Sequence, residues 1–278
     1  GFYLTAVTNG VINRLVQTKG EIDHTIQLYG CANVQINDCI IRSKKDGMRI
    51  YSSEVTISNC FFYGVNEGSP EYGLRLVASG TNHIIIQNTS FSNLNQAVYF
   101  LNIDGENDVR MENNHIENSR DIGIYIQDIA DDCIDLGGGY MGSKGGNIFS
   151  NTNSLIPDLL LANSTINDIF ALDNTWSSTN IESVIYDRND DPALPRVIYK
   201  RPEAETVSLS PASKHVLTWH GLNGSISNEI GETFSVDGCT NLMEGHWFPI
   251  TSNITVNAWT NDASDYETIF YRTTADLD

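Results

Sequence analysis

The stretch VTISNCFFYGV, residues 55–65, has echoes at VQINDCIIRSK (34–44), IIIQNTSFSNL (84–94) and VRMENNHIENS (109–119). In each, an alternating apolar run leads into Asn or Asp, and an apolar residue returns three places later. Setting that polar residue in one column gives Asn13, Asp38, Asn59, Asn88 and Asn113, at spacings of 25, 21, 29 and 25 residues. A second motif, a small residue followed by alternating apolar positions, stands upstream: TIQLY from Thr25, GMRIY from Gly47, GLRLV from Gly73, AVYFL from Ala97 and GIYIQ from Gly123. Between the two motifs lies a third short run, VQI at Val34, VTI at Val55, III at Ile84 and VRM at Val109.

Three runs of period two inside a repeat of about 25 residues exclude a helical solenoid. They predict a coil of three short strands around an apolar axis, with successive coils stacked about 4.8 Å apart. Each residue then lies above its counterpart in the coil below. An Asn column is expected at a tight turn, where the residue tolerates left-handed backbone angles and its amide bonds the one stacked above. On this reading Asn88, although in a glycosylation sequon, belongs to an inward ladder and stays unmodified. The fold class is therefore all-β, a parallel solenoid.

The ISNC…G(I/L)xL pattern resembles the right-handed parallel β-helix repeat proteins of the pectate-lyase-like superfamily, over about residues 1–200. DLGGGYMGSKGGNIFSN (135–151) and the stretch from NTW (174) to RP (202) are similar to the closing coils of large secreted proteins of this kind. The resemblance implies fold more than function, because the superfamily includes lyases, hydrolases, adhesins and surface fibres. Thr179 and Glu182 have capping-box spacing, and a short helix over 180–186 is expected to plug the end of the solenoid. From about residue 205 the pattern changes to short alternating strands, HVLTW, ETFSVDG, HWFPITS, ITVNAW and TIFYRTT. These read as a small β-sandwich and resemble the fibronectin-type-III-like modules of bacterial secreted proteins. The expected division is a β-helix over 1–202 and a sandwich over 203–278.

The formal charge of −19 argues against nucleic acid as a partner. No apolar run reaches the length of a membrane span. Secretion or display at the cell surface is the expected location. The five cysteines cannot all pair internally, and they contain no CxxC. Cys39 and Cys60, one coil apart, are expected as stacked free thiols in the core, because side chains in register along a ladder point in parallel and fit a disulfide poorly.

Alternation assigns the sides of the GMRIY sheet. Ile26, Leu28, Met48, Ile50, Leu74, Leu76, Val98, Phe100, Ile124 and Ile126 face in. Gln27, Arg49, Arg75, Tyr99 and Tyr125 face out, flanked by Tyr29, Tyr51, Val77, Leu101 and Gln127. The candidate ligand-binding residues are Tyr29, Arg49, Tyr51, Arg75, Tyr99 and Tyr125, since aromatic faces stack on pyranose rings and guanidinium forks hold carboxylates or sulfates. An exposed strand favours Tyr and Arg in any case. Arg49 and Arg75 are also the candidates for half of a lyase site, and Asp131 and Asp132 for the carboxylates of a hydrolase. Asp135 is a third candidate carboxylate, and all three fall in a Gly-rich region that reads as a structural turn. GGGYMGSKGG lacks the P-loop Gly-Lys order, and no GxSxG elbow is present. DRNDD places Asp187, Asn189 and Asp191 at the first ligand spacings of a calcium loop. Pro192 and Ile198 exclude an EF-hand, so calcium is retained there only in an irregular site, and no other cofactor is expected. The outward apolar column Leu15, Ile40 and Phe61 is expected to be covered by another subunit or by the chain's own loops. End-to-end self-association, or further coils upstream, is expected to meet the first coil's strand edges.

Two functions follow. One is an extracellular structural, adhesive or fibre-forming module that binds polysaccharide on the Arg/Tyr face. The other is a lyase or glycoside hydrolase acting on acidic polysaccharide.

Overall fold

A computed structural model describes all residues except 19–22, 43, 65–70, 78–81, 102–106, 128–133, 154, 163–167, 201–203, 210–213, 220–232, 240–247, 255–257, 263–269 and 277–278. The chain forms two compact units, Gly1–Val197 and Ile198–Asp278.

The first unit is a parallel β-helix. Its first sheet stacks eight strands, Phe2–Thr5, His24–Tyr29, Asp46–Tyr51, Tyr72–Val77, Gln96–Leu101, Ile122–Gln127, Leu159–Ala162 and Ile185–Tyr186. The second sheet stacks another eight, from Val11–Asn13 to Val197–Ile198, and the third stacks six, from Val16–Gln17 to Ile148–Ser150. All neighbours in these sheets run parallel, each strand bonded to the equivalent strand of the next coil. Three inner faces enclose one apolar column. Ile26, Met48, Leu74, Val98, Ile124 and Leu159 line it from the first sheet, Ile36, Ile57, Ile86 and Met111 from the second, and Ile41, Phe62, Phe91, Ile116 and Phe149 from the third, all at most 2% exposed. Phe62 and Phe91 stack at 5.1 Å between ring centres, so the core continues from coil to coil without a break.

The turn between the second and third sheets carries a left-handed residue in every coil: Arg14, Asp38, Asn59, Asn88 and Asn113, with φ from 51° to 59°, and then Gly146 at 72°. This corrects the expected column in two ways. Asn13 pairs with Asn37, so its successor Arg14 takes the turn. The column also faces outward: Asp38, Asn59, Asn88 and Asn113 are exposed, and the Asn88 sequon is not tucked into the core. Left-handed geometry, not ladder bonding, selects Asn here.

The inward polar ladder lies one residue later. The Asn114 side-chain amide donates to Asn147 Oδ1 at 2.9 Å, and the Asn147 amide donates to Asn174 Oδ1 at 3.0 Å. Asn147 also donates to the Leu136 carbonyl at 2.9 Å and accepts from the Asn114 backbone N–H at 3.1 Å. Thr89 occupies the same place in the preceding coil, accepting from the Cys60 N–H at 3.3 Å. Before it stand Cys60 and Cys39. They are buried free thiols, as expected, and their sulfurs approach backbone carbonyls of the turn. Burial pushes the Cys60 thiol up to about 12.

Two further expectations change. Leu15 precedes the third-sheet strand, and Val16 pairs with Ile40, which pairs with Phe61. The outward apolar column is therefore Val16, Ile40 and Phe61, at 59%, 38% and 37% exposure. The expected helix over 180–186 is a single 3-10 turn, Ile181–Val184, followed by the strand Ile185–Tyr186, which joins the first sheet. Its N-cap is Asn180, with no capping hydrogen bond from a side chain, so the Thr179–Glu182 box does not form.

The second unit contains two three-stranded antiparallel sheets. One comprises Ala204–Leu209, Lys214–Trp219 and Ala258–Asp262, the other Phe248–Ile254, Thr233–Cys239 and Phe270–Asp276.

The ladder and the thiols generate two expectations. Asn147→Ala removes one of the two amide donors to the Leu136 carbonyl and the acceptor of the Asn114 backbone N–H and one of its amide hydrogens, and should cost about 2–4 kcal/mol by urea denaturation. A loss under about 0.5 kcal/mol would show that the ladder carries little stability. Cys39 and Cys60 should resist a thiol-specific reagent in the folded protein and react fully after denaturation; rapid labelling of the native chain would contradict their burial.

Candidate functional site

The first sheet's outer face carries Arg49 and Arg75 beside several of the protein's Tyr residues. Its register stacks Gln27, Arg49, Arg75, Tyr99 and Tyr125 in one column, as alternation predicts. Beside it, Tyr29 stacks on Tyr51, and Leu101 on Gln127.

A small residue opens each of these strands because the core leaves no room there. A Cβ on Gly47 would meet the Gly73 carbonyl at 2.5 Å and the Phe62 ring at 2.7 Å. With positions 47, 48 and 50 committed to the core, Asp46 lies on the Arg49 side. Its carboxylate is fully buried. Arg49 Nη2 stands 2.5 Å from Asp46 Oδ2, and His24 Nδ1 stands 2.8 Å from the same oxygen. Neither contact has hydrogen-bond alignment, so the carboxylate is held by charge alone. Arg49 also donates to the Tyr51 hydroxyl at 3.3 Å. Burial lowers the pKa of His24, partly opposed by the Asp46 charge, which favours a neutral imidazole near pH 7. The sequence reading placed Arg49 on this face but missed His24 and Asp46. They share a register position one coil apart, which their different loop contexts hide.

Arg75 is held differently. Its guanidinium carbon lies 5.4 Å from the Tyr72 ring centre and 5.3 Å from that of Tyr99. Among the described residues no carboxylate stands within ion-pair distance of it, and its buried Nε has no hydrogen-bond partner. Tyr72, Tyr99 and Tyr125 form a stack with ring centres 5.6 Å and 5.1 Å apart. Tyr99 is only 9% exposed, and its hydroxyl donates to Gln127 Oε1 at 2.8 Å. The tyrosines therefore cover one another's faces and present edges outward. Open faces for a sugar ring are found instead toward Tyr29, which is 56% exposed and tilted 44° against Tyr51. The six candidate ligand residues thus divide into an open group (Tyr29, Tyr51, Arg49), a cation beside a tyrosine stack (Arg75) and a mutually stacked pair (Tyr99, Tyr125).

Asp131 and Asp132 lie outside the described residues. The neighbouring Asp135 is buried, and its carboxylate accepts from the Gly137, Gly139 and Ser143 backbone N–H groups at 2.9, 3.1 and 3.1 Å. Asp135 is the anchor of the Gly-rich turn. At the calcium-like motif, Asp187 accepts from the Asn189 and Val197 N–H groups, Asp191 accepts from the Ala193 N–H, and the Asn189 amide donates to Glu182. Among the described residues no group of three or more His, Cys, Asp or Glu side chains is placed to hold a metal.

Burial raises the Asp187 carboxyl from 3.8 to about 6. The folded chain therefore binds this proton more tightly than the unfolded chain. Below about pH 4 the group carries no penalty, and as pH rises through 6 it costs up to about 3 kcal/mol. The stability of the wild type relative to Asp187→Asn should fall by that order between pH 4 and pH 7 in urea titrations. A difference independent of pH would show that the burial penalty is offset.

A scan against family models matches the description "Right handed beta helix region" over residues 7–183, more than half of the chain. Comparisons with curated proteins and with solved structures gave no significant match. The matched span covers nearly all of the stacked coils, including the Arg/Tyr face, and the chain belongs to the right-handed β-helix family.

Proposed function

We propose that the protein is an extracellular or cell-surface β-helix module, structural or adhesive in role, whose first sheet binds an acidic polysaccharide. The observation that supports this reading is Arg75: a guanidinium resting beside the stacked Tyr72 and Tyr99 rings, 5.4 and 5.3 Å from their centres, with no carboxylate beside it among the described residues, in a chain of formal charge −19. An acidic protein has many side chains available to neutralise a surface cation. One held against aromatic rings instead is prepared for an anion from outside, and a guanidinium fork fits carboxylate or sulfate. Tyr29 and Tyr51 supply the adjoining surface for sugar rings. On this reading the solenoid belongs with the pectate-lyase-like proteins, the second unit is a fibronectin-type-III-like spacer, and the Val16–Ile40–Phe61 column is a contact for another subunit.

Immobilised polygalacturonate should retain the protein in low salt, and immobilised neutral dextran should not. Arg75→Gln should weaken retention by about tenfold or more, as expected for one charge-assisted contact. Equal retention by both polymers, or an unaltered Arg75→Gln variant, would overturn the proposal.

A second reading, an enzyme acting on acidic polysaccharide, is favoured by the His24–Asp46 contact. A neutral His24 standing 2.8 Å from a buried carboxylate is equipped as a general base. It would take the proton α to a uronate carboxylate. The freed electron pair would form the new C4=C5 double bond as the glycosidic oxygen departs with its bonding pair, and Arg49 would steady the charge on the substrate carboxylate. Incubation with polygalacturonate should then generate an unsaturated, ultraviolet-absorbing product. His24→Ala should abolish that product while leaving retention intact. The basic limb of the pH profile should open below the ordinary histidine value, since burial lowers the His24 pKa. Absence of product across a panel of acidic polysaccharides would leave the binding role alone.

A further inference from the structure

The second sheet carries a cleft with no part in the Arg/Tyr face. It has a volume of about 490 Å³ and is lined by His83, Ile84, Ile85, Asp108, Arg110, Tyr140 and Met141. Its floor is register: Ile85 stacks on Arg110, and His83 on Asp108. Its wall is the Gly-rich turn after the strand Ile134–Gly137, which carries Tyr140 and Met141.

That turn is fixed in place. Asp135 gathers three of its N–H groups, Gly138 takes φ +80°, and a Cβ on Gly139 would lie 2.9 Å from the Asp135 carboxyl carbon. Ser143 Oγ donates to the Met111 carbonyl at 2.7 Å and ties the turn back to the preceding coil. The Tyr140 ring, 66% exposed, meets Phe170 edge-on and is thereby held beside the cleft.

The polar groups around this cleft are only loosely paired. Among the described residues Arg110 has one ion-pair partner, Glu112, at 3.8 Å, and Glu112 also accepts from the Lys144 N–H. Arg110 Nε is buried without a hydrogen bond. On the other side, His83 and Asp108 form an exposed pair at 2.9 Å, leaving one carboxylate oxygen of Asp108 for other donors. A rigid aromatic wall, an aliphatic floor, a guanidinium with a loose partner and a carboxylate are the complement of a sugar ring that carries both an acid and hydroxyl groups.

We propose that this cleft is a second ligand site, one sugar ring in size, specific for a hexuronate. The uronate carboxylate sits on Arg110, the ring lies against Tyr140 and Ile85, and ring hydroxyls donate to Asp108. The site is independent of the first-sheet face and stands whether or not that face binds polymer.

The test is titration of the full chain with D-galacturonate and D-glucuronate, followed by saturation-transfer NMR on the sugar ring protons, with D-galactose, D-glucose and sodium acetate as comparison probes. At least one hexuronate is expected to bind with a dissociation constant on the order of millimolar. The neutral hexoses and acetate are expected to bind at least about tenfold more weakly, each lacking either the acid or the ring. Tyr140→Ala and Arg110→Gln should each weaken the hexuronate by about tenfold. Tyr140 is an exposed turn residue, so Tyr140→Ala decides the matter if Arg110→Gln fails to fold. The proposal is overturned by no hexuronate binding, by acetate or neutral hexose binding equally well, or by hexuronate affinity unaltered in Tyr140→Ala. Loss of the hexuronate in Arg75→Gln with retention in Tyr140→Ala would assign the signal to the first sheet and overturn it as well.

Discussion

Every coil of this solenoid depends on one backbone conformation. Between the second and third sheets the chain must reverse its side-chain alternation and change direction within one residue, and that residue adopts φ near +55°. Its N–H bonds to the carbonyl one coil up: Asp38 to Ser58, Asn59 to Gln87, Asn88 to Glu112 and Asn113 to Gly145. Asparagine and aspartate bear left-handed angles at modest cost, and glycine at none, so Gly146 can take the turn that Asn113 takes one coil earlier, before Asp173, with φ 59°, continues the series. Fixing this corner fixes which side chains face the core in the strands on either side. The continuous Phe62–Phe91 stacking and the polar ladder both follow from it.

The corner was also what made the sequence readable. The Asn/Asp period exposed the repeat, and strict alternation then placed the core and the outward Arg and Tyr residues at their observed registers. What alternation could not supply was the first coil. There Asn13 and Arg14 compete for the turn, and an apolar Val16 outside resembles an apolar Leu15 inside. The Thr179–Glu182 spacing gave a similar false signal. A two-residue strand extending the first sheet competes with a helix at that place, and pairing with the preceding coil prevails.

The candidate sites show a different limit. Arg49 and Arg75 stand in similar runs, GMRIY and GLRLV, and are equivalent in register, yet one is tied to a buried carboxylate and the other rests beside stacked tyrosine rings. The difference arises from residue three places upstream, Asp46 in one coil and Tyr72 in the next. A column read as a uniform ladder therefore contains chemically unlike positions. The cleft on the second sheet was legible only in part: the Gly-rich turn is visible in the sequence, but its place beside Ile85 depends on Asp135, which gathers the turn's own N–H groups, and on Ser143, which binds across to the preceding coil.

The inner ladder changes character along the axis, from the thiols of Cys39 and Cys60, through Thr89, to the linked amides of Asn114, Asn147 and Asn174. Thiols pack without strong direction, whereas each amide polarises the next and penalises separation of its neighbour. In a structure whose coils touch only the coils beside them, cohesion is local and need not be uniform. The solenoid is therefore a graded rod. Under tension or partial denaturation its thiol-lined coils peel away first, and the amide-lined coils, which also carry the Gly-rich turn and the second-sheet cleft, remain assembled as a residual core.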